Sequence, residues 1–235
     1  MSNNTWVCRP EQEDGFGSQF QHIIACILFS RHYNMEYVHR PLELVEHNYD
    51  NNSKFVENLN SLIKIKSTYR RLNEVPSIEY KNKCTQKNFK KLLDMHVDEW
   101  LQDPVLDELR DVFKPPKREY VHVAIHVRKT NKQDNRHVFD QDDDIIALMH
   151  TLAKDNIQFH IYSQGDQANF QKFLVFPGIK WHLNEDITTT FRDMVNADIL
   201  IIAKSSLSYA AALLNKGMIY YQPFWHAFAA HWKRF

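Results

Sequence analysis

His126 and Arg128 close an apolar run, residues 120–128, and are the residue types that bind phosphate. Side chains alternate along a strand, so Val123 and Ile125 share one face while His126 and Arg128 share the other. Such a strand holds a guanidinium at its carboxyl end, where ligands bind in open α/β sheets. Arginine binds phosphate oxygens through two parallel hydrogen bonds, because its donors form a planar fork. The run therefore predicts a site for a phosphorylated ligand.

A glycine loop near the amino terminus is the second candidate. Gly15 and Gly17 are two of only five glycines in the chain. They precede apolar residues, from Phe20 to Leu28, at the spacing of one helix face. A glycine loop that opens a helix exposes backbone N–H groups and lets a ligand approach the main chain. Because Gly-x-Gly is a weak signal alone, a simple loop and N-cap is an equal alternative.

Polar residues follow two more predicted strands. Ser163 and Asp166 come after one strand, and Ser205 and Ser206 come after another and open a helix. Hydroxyl groups and free N–H groups at a helix start suit phosphate, although plain N-capping also explains the serines. Three polar strand ends along one sheet predict a shared binding site.

The elements that position these residues fall into two sets. Strands are indicated at 120–127, 157–162, 179–182, 198–202 and 218–221, and helices at 143–154, 166–173, 188–195 and 206–215. This alternation predicts a parallel sheet built from βαβ units. Earlier in the chain, a short strand near 36–39, a polar stretch at 48–60 and helices at 86–101 and 104–113 predict a smaller, less regular α/β unit. Because residues 114–117 read as a linker, we predict domains at 1–117 and 118–235.

Composition excludes several classes of partner. Lys+Arg and Asp+Glu are both 29, so no general affinity for nucleic acid or membrane surfaces is expected. The basic cluster of Lys87, Lys90 and Lys91 is typical of a solvated helix face. Three widely spaced cysteines, no secretory signal and no bilayer-spanning segment predict a reduced, cytoplasmic protein.

Familiar catalytic motifs are missing from the sequence. The thirteen histidines form no zinc-binding pattern, and there is neither a P-loop nor a Gly-x-Ser-x-Gly elbow. The acidic run from Asp142 to Asp144 precedes a helix, where it complements the helix dipole. Metal binding by this run is the alternative. We expect no metal and no cofactor.

Three blocks, in the right order and covering most of the chain, resemble the metal-independent fucosyltransferase superfamily with a GT-B fold. Residues 15–20 are similar to its amino-terminal glycine loop, and residues 124–128 look like its His-x-Arg-Arg-x-Asp motif. Residues 193–209 resemble its carboxyl-terminal block, while 161–163 match a further strand weakly. The resemblance implies two Rossmann-like α/β domains that face a cleft, the amino-terminal one small and irregular.

The resemblance also implies an activity, which is inverting, metal-independent transfer of L-fucose from GDP-fucose to a hydroxyl group of a glycan acceptor. Arg128 would stabilise the departing diphosphate, and Asp14 is the preferred general base, with Asp134 or no enzymic base as alternatives. The remaining donor-site or loop contacts would come from Gly15, Gly17, Gln19, His126, Ser163, Asp166, Asp193, Ser205 and Ser206.

Departures from the motif leave other readings open. Lys129 stands where the family has its second arginine, and Asn131 stands where it has aspartate. One alternative is therefore a different donor, such as a xylose or rhamnose nucleotide sugar. Another is a nucleotide-binding module that has lost catalysis. A third is a metal-dependent GT-A transferase that uses Asp142 and Asp144.

Overall fold

A computed structural model describes residues 5–48, 51–63, 65, 68–84, 86, 88–114, 117–129 and 140–235. The chain divides into two compact units, one formed by Met1–Val112 with His226–Ala229, and the other by Phe113–Trp225 with Ala230–Phe235. Within the described ranges, no helix combines the length and apolarity needed to cross a membrane.

The first unit is built around helix α1, Phe16–His32, which is buried along almost its whole length. A helix that is buried on all sides lies at the centre of its unit, which explains the apolar residues around its circumference. Strands β1, Trp6–Val7, and β2, Glu36–Tyr37, pair in parallel beside it. The predicted small, irregular α/β unit is what the structure shows.

The other helices of this unit are short. They are α2, Phe55–Ile63; α3, Phe89–Met95; α4, Val97–Trp100; and α5, Val105–Arg110, with 3-10 turns at Leu72–Glu74, Ser77–Asn82 and Asp111–Phe113. Two predictions are corrected here. The stretch at 48–60, read as merely polar, contains most of α2, and the predicted helix at 86–101 is interrupted at His96, whose φ of −120° is not helical.

The second unit is a six-stranded parallel sheet with strand order β5-β4-β3-β6-β7-β8. Its strands are β3, Val121–His126; β4, Ile157–Ser163; β5, Lys180–Leu183; β6, Ile199–Ile201; β7, Met218–Tyr221; and β8, Lys233–Arg234. Its helices are α6, Asp142–Leu152; α7, Ile187–Val195; and α8, Ser206–Leu214, with a 3-10 helix at Gln167–Val175. The predicted βαβ alternation is confirmed. Two details differ: the sequence does not predict β8, and the helix predicted at 166–173 is a 3-10 helix.

The two faces of β3 differ as the alternation predicts. Val123 and Ile125 pack in an apolar core with Met149 of α6 and with Phe170. His122 and His126 point to the opposite face and are also buried. Burial on both faces is typical of a central parallel strand, and it fixes the direction in which the residues after His126 leave the sheet.

Candidate functional site

The sheet of the second unit has a topological switch point between β3 and β6. From β3 the chain continues to β4 on one side, whereas from β6 it continues to β7 on the other. The loops after β3 and β6 therefore diverge and leave a crevice outside the carboxyl ends of these strands. In open α/β folds this crevice is where ligands bind.

Two of the predicted blocks border this crevice. The register pairs Ile125 of β3 with Ile201 of β6, so the residues three positions further on, Arg128 and Lys204, leave the sheet at the same level. Both are half-buried. Ser205 follows at once and begins α8. The structure therefore brings together the His126–Arg128 block and the serine block, which are far apart in the sequence.

The serine block forms the start of helix α8. Ser205 is the N-cap: its Oγ accepts a hydrogen bond from the Leu207 N–H at 3.3 Å, and the residue is 3% exposed. Ser206 is half-buried at the first helical position. The N-capping alternative thus describes Ser205, while the first turn of the helix still presents its positive end toward the switch point. An anion is the ligand that this end favours.

His126 lies at the same edge and is neutral. Burial, and to a lesser extent the charge of Arg128, lowers its pKa from 6.5 to about 3. Its Nδ1 atom is buried and has no hydrogen-bond partner within the described residues. A neutral imidazole beside a guanidinium adds no charge, but it can orient the arginine or a ligand.

Gln141 links the loops at this edge of the sheet, a role that the sequence does not indicate. Its Oε1 accepts a hydrogen bond from the Lys204 N–H at 3.3 Å, and its Nε2 donates to Gln222 Oε1 at 2.9 Å. Gln222, directly after β7, donates in turn to Asp144 Oδ2 at 2.6 Å. These amides fix the ends of β6 and β7 against the start of α6. Amide pairs 81 residues apart leave no local signal in the sequence.

Two carboxylates of the acidic run at the start of α6 form ion pairs with lysines of the same unit. Asp142 is buried and pairs with Lys129 Nζ at 2.5 Å, and Asp143 pairs with Lys172 at 2.8 Å. Among the described residues, no group of three or more metal-ligating side chains comes together. Lys129 is therefore engaged in an internal ion pair.

Ser163 and Asp166 flank the turn after β4, one strand away from the switch point. Gly165 adopts a φ of +104°, which favours glycine, and its N–H donates to Asn184 Oδ1 at 2.8 Å. The Ser163 hydroxyl donates to the Gln164 carbonyl at 3.3 Å, and Asp166 is exposed. These two residues lie at the predicted edge of the sheet, beside the switch point rather than in it.

Asp193 is not brought to the switch point. It lies in the last turn of α7, where its Oδ1 accepts a hydrogen bond from Arg118 at 3.0 Å and its Oδ2 accepts one from the Tyr162 hydroxyl at 2.9 Å. Arg118 precedes β3, so this anchor faces the amino ends of the strands. Asp193 thus has a structural role, and its predicted donor-site contact stays a prediction.

The first unit holds the glycine loop. Gly15 is the N-cap of α1, and its N–H donates to Asp14 Oδ1 at 2.7 Å. A side chain at position 15 would meet the His47 ring at 2.9 Å, which explains the glycine. Gly17 is buried in the first turn of α1. Asp14 itself is half-buried and stays partly accessible.

Gln19, predicted to bind substrate, is completely buried. Its Nε2 donates to the carbonyl oxygens of Asp14 at 2.7 Å and Leu44 at 2.6 Å. The side chain therefore holds the glycine loop against the segment around Leu44. Gln19 therefore has a structural role through Nε2, and its predicted ligand contact stays a prediction.

Lys90 corrects a second expectation about this unit. The sequence predicts a solvated lysine at this position, but Lys90 is half-buried and donates to Ser18 Oγ at 2.8 Å. Burial lowers the pKa of its ammonium group, while the charges of Asp14 and Asp94 oppose that shift. Lys91 is exposed as expected, and Lys87 lies outside the described residues. Asn131 and Asp134 also lie outside them.

Comparisons with known proteins bear on the fold. No protein-family model and no curated protein matches the sequence. Over 97% of its length the chain is similar to the E. coli heptosyltransferase WaaC with ADP, with a TM-score of 0.53, 8% identity and 92% of that chain covered. The NodZ alpha-1,6-fucosyltransferase with GDP gives a TM-score of 0.42 and 9% identity over 90% of this chain and 93% of its own. An Arabidopsis thaliana FUT1 variant with GDP gives 0.43 and 12% identity over 94% and 71%.

The similarity to WaaC is at only 8% identity, and it therefore supports the fold alone. Together with the parallel sheet, it confirms the predicted α/β, GT-B-like fold class. A shared fold does not specify the chemistry, which depends on the residues of the site.

Proposed function

We propose that this protein is a glycosyltransferase that takes its sugar from a nucleotide-diphosphate donor. The observation that carries the proposal is the switch point, where Arg128, neutral His126 and the start of α8 border one crevice. A guanidinium and a helix N-terminus are complementary to a diphosphate. Ser205 and Ser206 begin that helix. Ser163 and Asp166 follow β4, the strand beside β3, and would contact the rest of the nucleotide.

Charge development explains why Arg128 would matter for rate as well as for binding. When the bond between the sugar C1 and the phosphate oxygen breaks, that oxygen and the diphosphate gain negative charge. A guanidinium already held at that place stabilises the transition state more than the ground state. Loss of one such donor typically lowers turnover by roughly 10² to 10³. No metal is required by this scheme.

The acceptor hydroxyl must lose a proton as its oxygen attacks C1. We assign this proton to the Asp14 carboxylate, which is partly accessible in the glycine loop. Asp134 remains the alternative base, as does transfer with no enzymic base. In-line attack opposite the departing diphosphate inverts the configuration at C1. From the sequence resemblance, the donor we favour is GDP-fucose and the acceptor is a glycan.

One observation favours the second candidate, a nucleotide-binding module without catalysis. Lys129 takes the place of a motif arginine, but its ammonium group is held by buried Asp142. A cation turned inward in this way is less available to a departing phosphate. This arrangement could retain diphosphate binding while turnover is lost.

Transfer assays with a panel of GDP-, UDP- and ADP-sugars test the proposal. We expect turnover that persists in EDTA, and a loss of roughly 10² to 10³ in Arg128→Ala. Arg192→Ala is the matched control, since Arg192 is exposed on α7 of the same unit. Near-normal turnover in Arg128→Ala would refute the role of Arg128. Thermal stabilisation by nucleotides without turnover on any acceptor would support the module instead.

A further inference from the structure

The side chains behind Asp14 form a hydrogen-bonded relay. We propose that Gln12 and His22 are positioning residues that hold the Asp14 carboxylate in one orientation for proton removal from the acceptor hydroxyl. The inference rests on the proposed function, in which Asp14 is the general base.

Both oxygens of the Asp14 carboxylate have a defined donor. Oδ1 accepts a hydrogen bond from the Gly15 N–H at 2.7 Å, and Oδ2 accepts one from Gln12 Nε2 at 3.3 Å. The other end of the Gln12 amide, Oε1, is hydrogen-bonded to His22 Nδ1. His22 lies in the second turn of α1, so the relay ends on the most buried helix of its unit. The carboxylate is thus fixed from both sides.

The direction of each hydrogen bond follows from the chemistry of the groups. A carboxylate only accepts, so Gln12 must turn its NH₂ group toward Asp14 and its carbonyl oxygen toward His22. The reverse orientation would set two acceptors against each other. His22 must therefore donate from Nδ1, which makes it the Nδ1–H tautomer when neutral. Its second nitrogen, Nε2, then carries the lone pair.

The surroundings keep His22 neutral. Burial lowers its pKa to about 3, and the nearby charges of Lys90 and Arg9 act in the same direction, whereas Asp14 opposes them. Lys90 belongs to α3 and Arg9 to the segment after β1, so cations face the imidazole from two elements. His22 is buried while Asp14 is half-buried. Asp14 is thus partly accessible to a ligand, and so is Gln12, whereas His22 at the end of the relay is shielded.

The relay predicts a particular kinetic pattern. Gln12→Ala should lower kcat by roughly tenfold to a hundredfold, the cost of a misplaced reacting group, with little change in KM because Gln12 acts only through Asp14. His22→Asn keeps an amide N–H near the position of Nδ1–H, whereas His22→Gln places it near Nε2. The asparagine variant should therefore retain at least about tenfold more turnover than the glutamine variant. Exposed Gln102→Ala is the control for loss of a glutamine.

A double-mutant cycle separates positioning from a general loss of structure. If Gln12 acts through Asp14, Gln12→Ala combined with Asp14→Asn should be no slower than Asp14→Asn alone. Additive losses, or equal turnover in the two His22 variants, would overturn the proposal. Wild-type turnover in Asp14→Asn would overturn it as well, because no base would then need positioning.

A measurement without substrate distinguishes this inference from the proposed function. ¹⁵N NMR of the histidine side chains should show His22 as the Nδ1–H tautomer, and the signal should change in Gln12→Ala. An unchanged signal, or an Nε2–H tautomer in the wild type, overturns the relay whatever the activity. If the relay signal responds to Gln12→Ala but no nucleotide sugar is turned over, the proposed function and the catalytic role of the relay fail together, while the hydrogen bonds stand.

Discussion

Mild acid should destabilise this protein, because five buried histidines are neutral in the folded state. The pKa is lowered to about 3 in His22, His39 and His126, to about 2 in His122 and to about 4 in His160, in each case mainly by burial. In the unfolded chain a histidine binds its proton near pH 6.5. The unfolded state therefore takes up more protons, and stability falls as the pH drops from about 6.5 toward the folded pKa values.

The expected effect is large. A histidine with a folded pKa of about 3 makes the free energy of unfolding about 2 kcal/mol lower at pH 5 than at pH 7.5. The reason is that each pH unit below about 6.5 lowers the free energy of unfolding by about 1.4 kcal/mol. Five such groups together approach the whole stability of a typical protein, about 5 to 15 kcal/mol. We therefore expect unfolding to begin near pH 6 and to be complete by about pH 4.5, so that most of the transition precedes the protonation of ordinary carboxylates, whose pKa values are about 3.9 to 4.3.

Urea unfolding at pH 7.5, 6.5, 5.5 and 5.0 measures this dependence. His122→Gln keeps a donor for the Tyr162 hydroxyl, 3.2 Å from His122 Nε2, but cannot take up a proton. Between pH 7.5 and pH 5, the free energy of unfolding of His122→Gln should fall by about 2 kcal/mol less than that of the wild type. Exposed His231→Gln controls for removal of a histidine as such. A free energy of unfolding that stays constant down to pH 5 would show that the buried histidines do not take up protons when the protein unfolds.

Three further predictions concern residues whose roles the structure defines. Lys129→Ala leaves buried Asp142 without its cation and should lower the free energy of unfolding, measured with urea, by about 3 kcal/mol. Adding Asp142→Asn should restore part of this loss. Equal losses in the single and the double variant would contradict the ion pair. Asp193→Ala removes the partner of Arg118 and should lower the free energy of unfolding by about 2 kcal/mol, while nucleotide affinity measured by calorimetry stays the same. A tenfold weaker affinity would instead indicate that Asp193 contacts the nucleotide. Gln19→Leu leaves the carbonyl oxygens of Asp14 and Leu44 without their donor and should lower the stability by about 2 kcal/mol, measured by thermal denaturation. An unchanged Tm would contradict the structural role of Gln19.

The parallel sheet could be predicted from the sequence because its central strands are buried on both faces. Runs such as 120–127 and 198–202 are almost continuously apolar, and helical patterns separate them, so both type and order follow. The two-residue strand β8 could not be predicted, since its exposed residues, Lys233 and Arg234, carry no apolar pattern. Most of α2 lies in an asparagine-rich stretch, where local propensity does not indicate a helix.

The candidate site could be predicted only in part. His126, Arg128 and the serines follow directly from strand ends, and strand order then places them side by side. Asp193 was assigned from its neighbours in the sequence, but its partner Arg118 is 75 residues away. Gln12, His22 and Gln141 were missed for the same reason. Their function depends on which atoms they meet, and spacing along the chain does not determine that.

Calorimetry of nucleotide binding shows directly whether the switch point binds a diphosphate through Arg128. The wild type should bind GDP or ADP more tightly than the corresponding monophosphate. Arg128→Ala should weaken diphosphate binding by about tenfold to a hundredfold, the worth of a charge-assisted hydrogen bond, and should remove most of that preference. Arg192→Ala should bind like the wild type. Unchanged diphosphate affinity in Arg128→Ala, with its fold intact, would show that Arg128 does not bind the diphosphate.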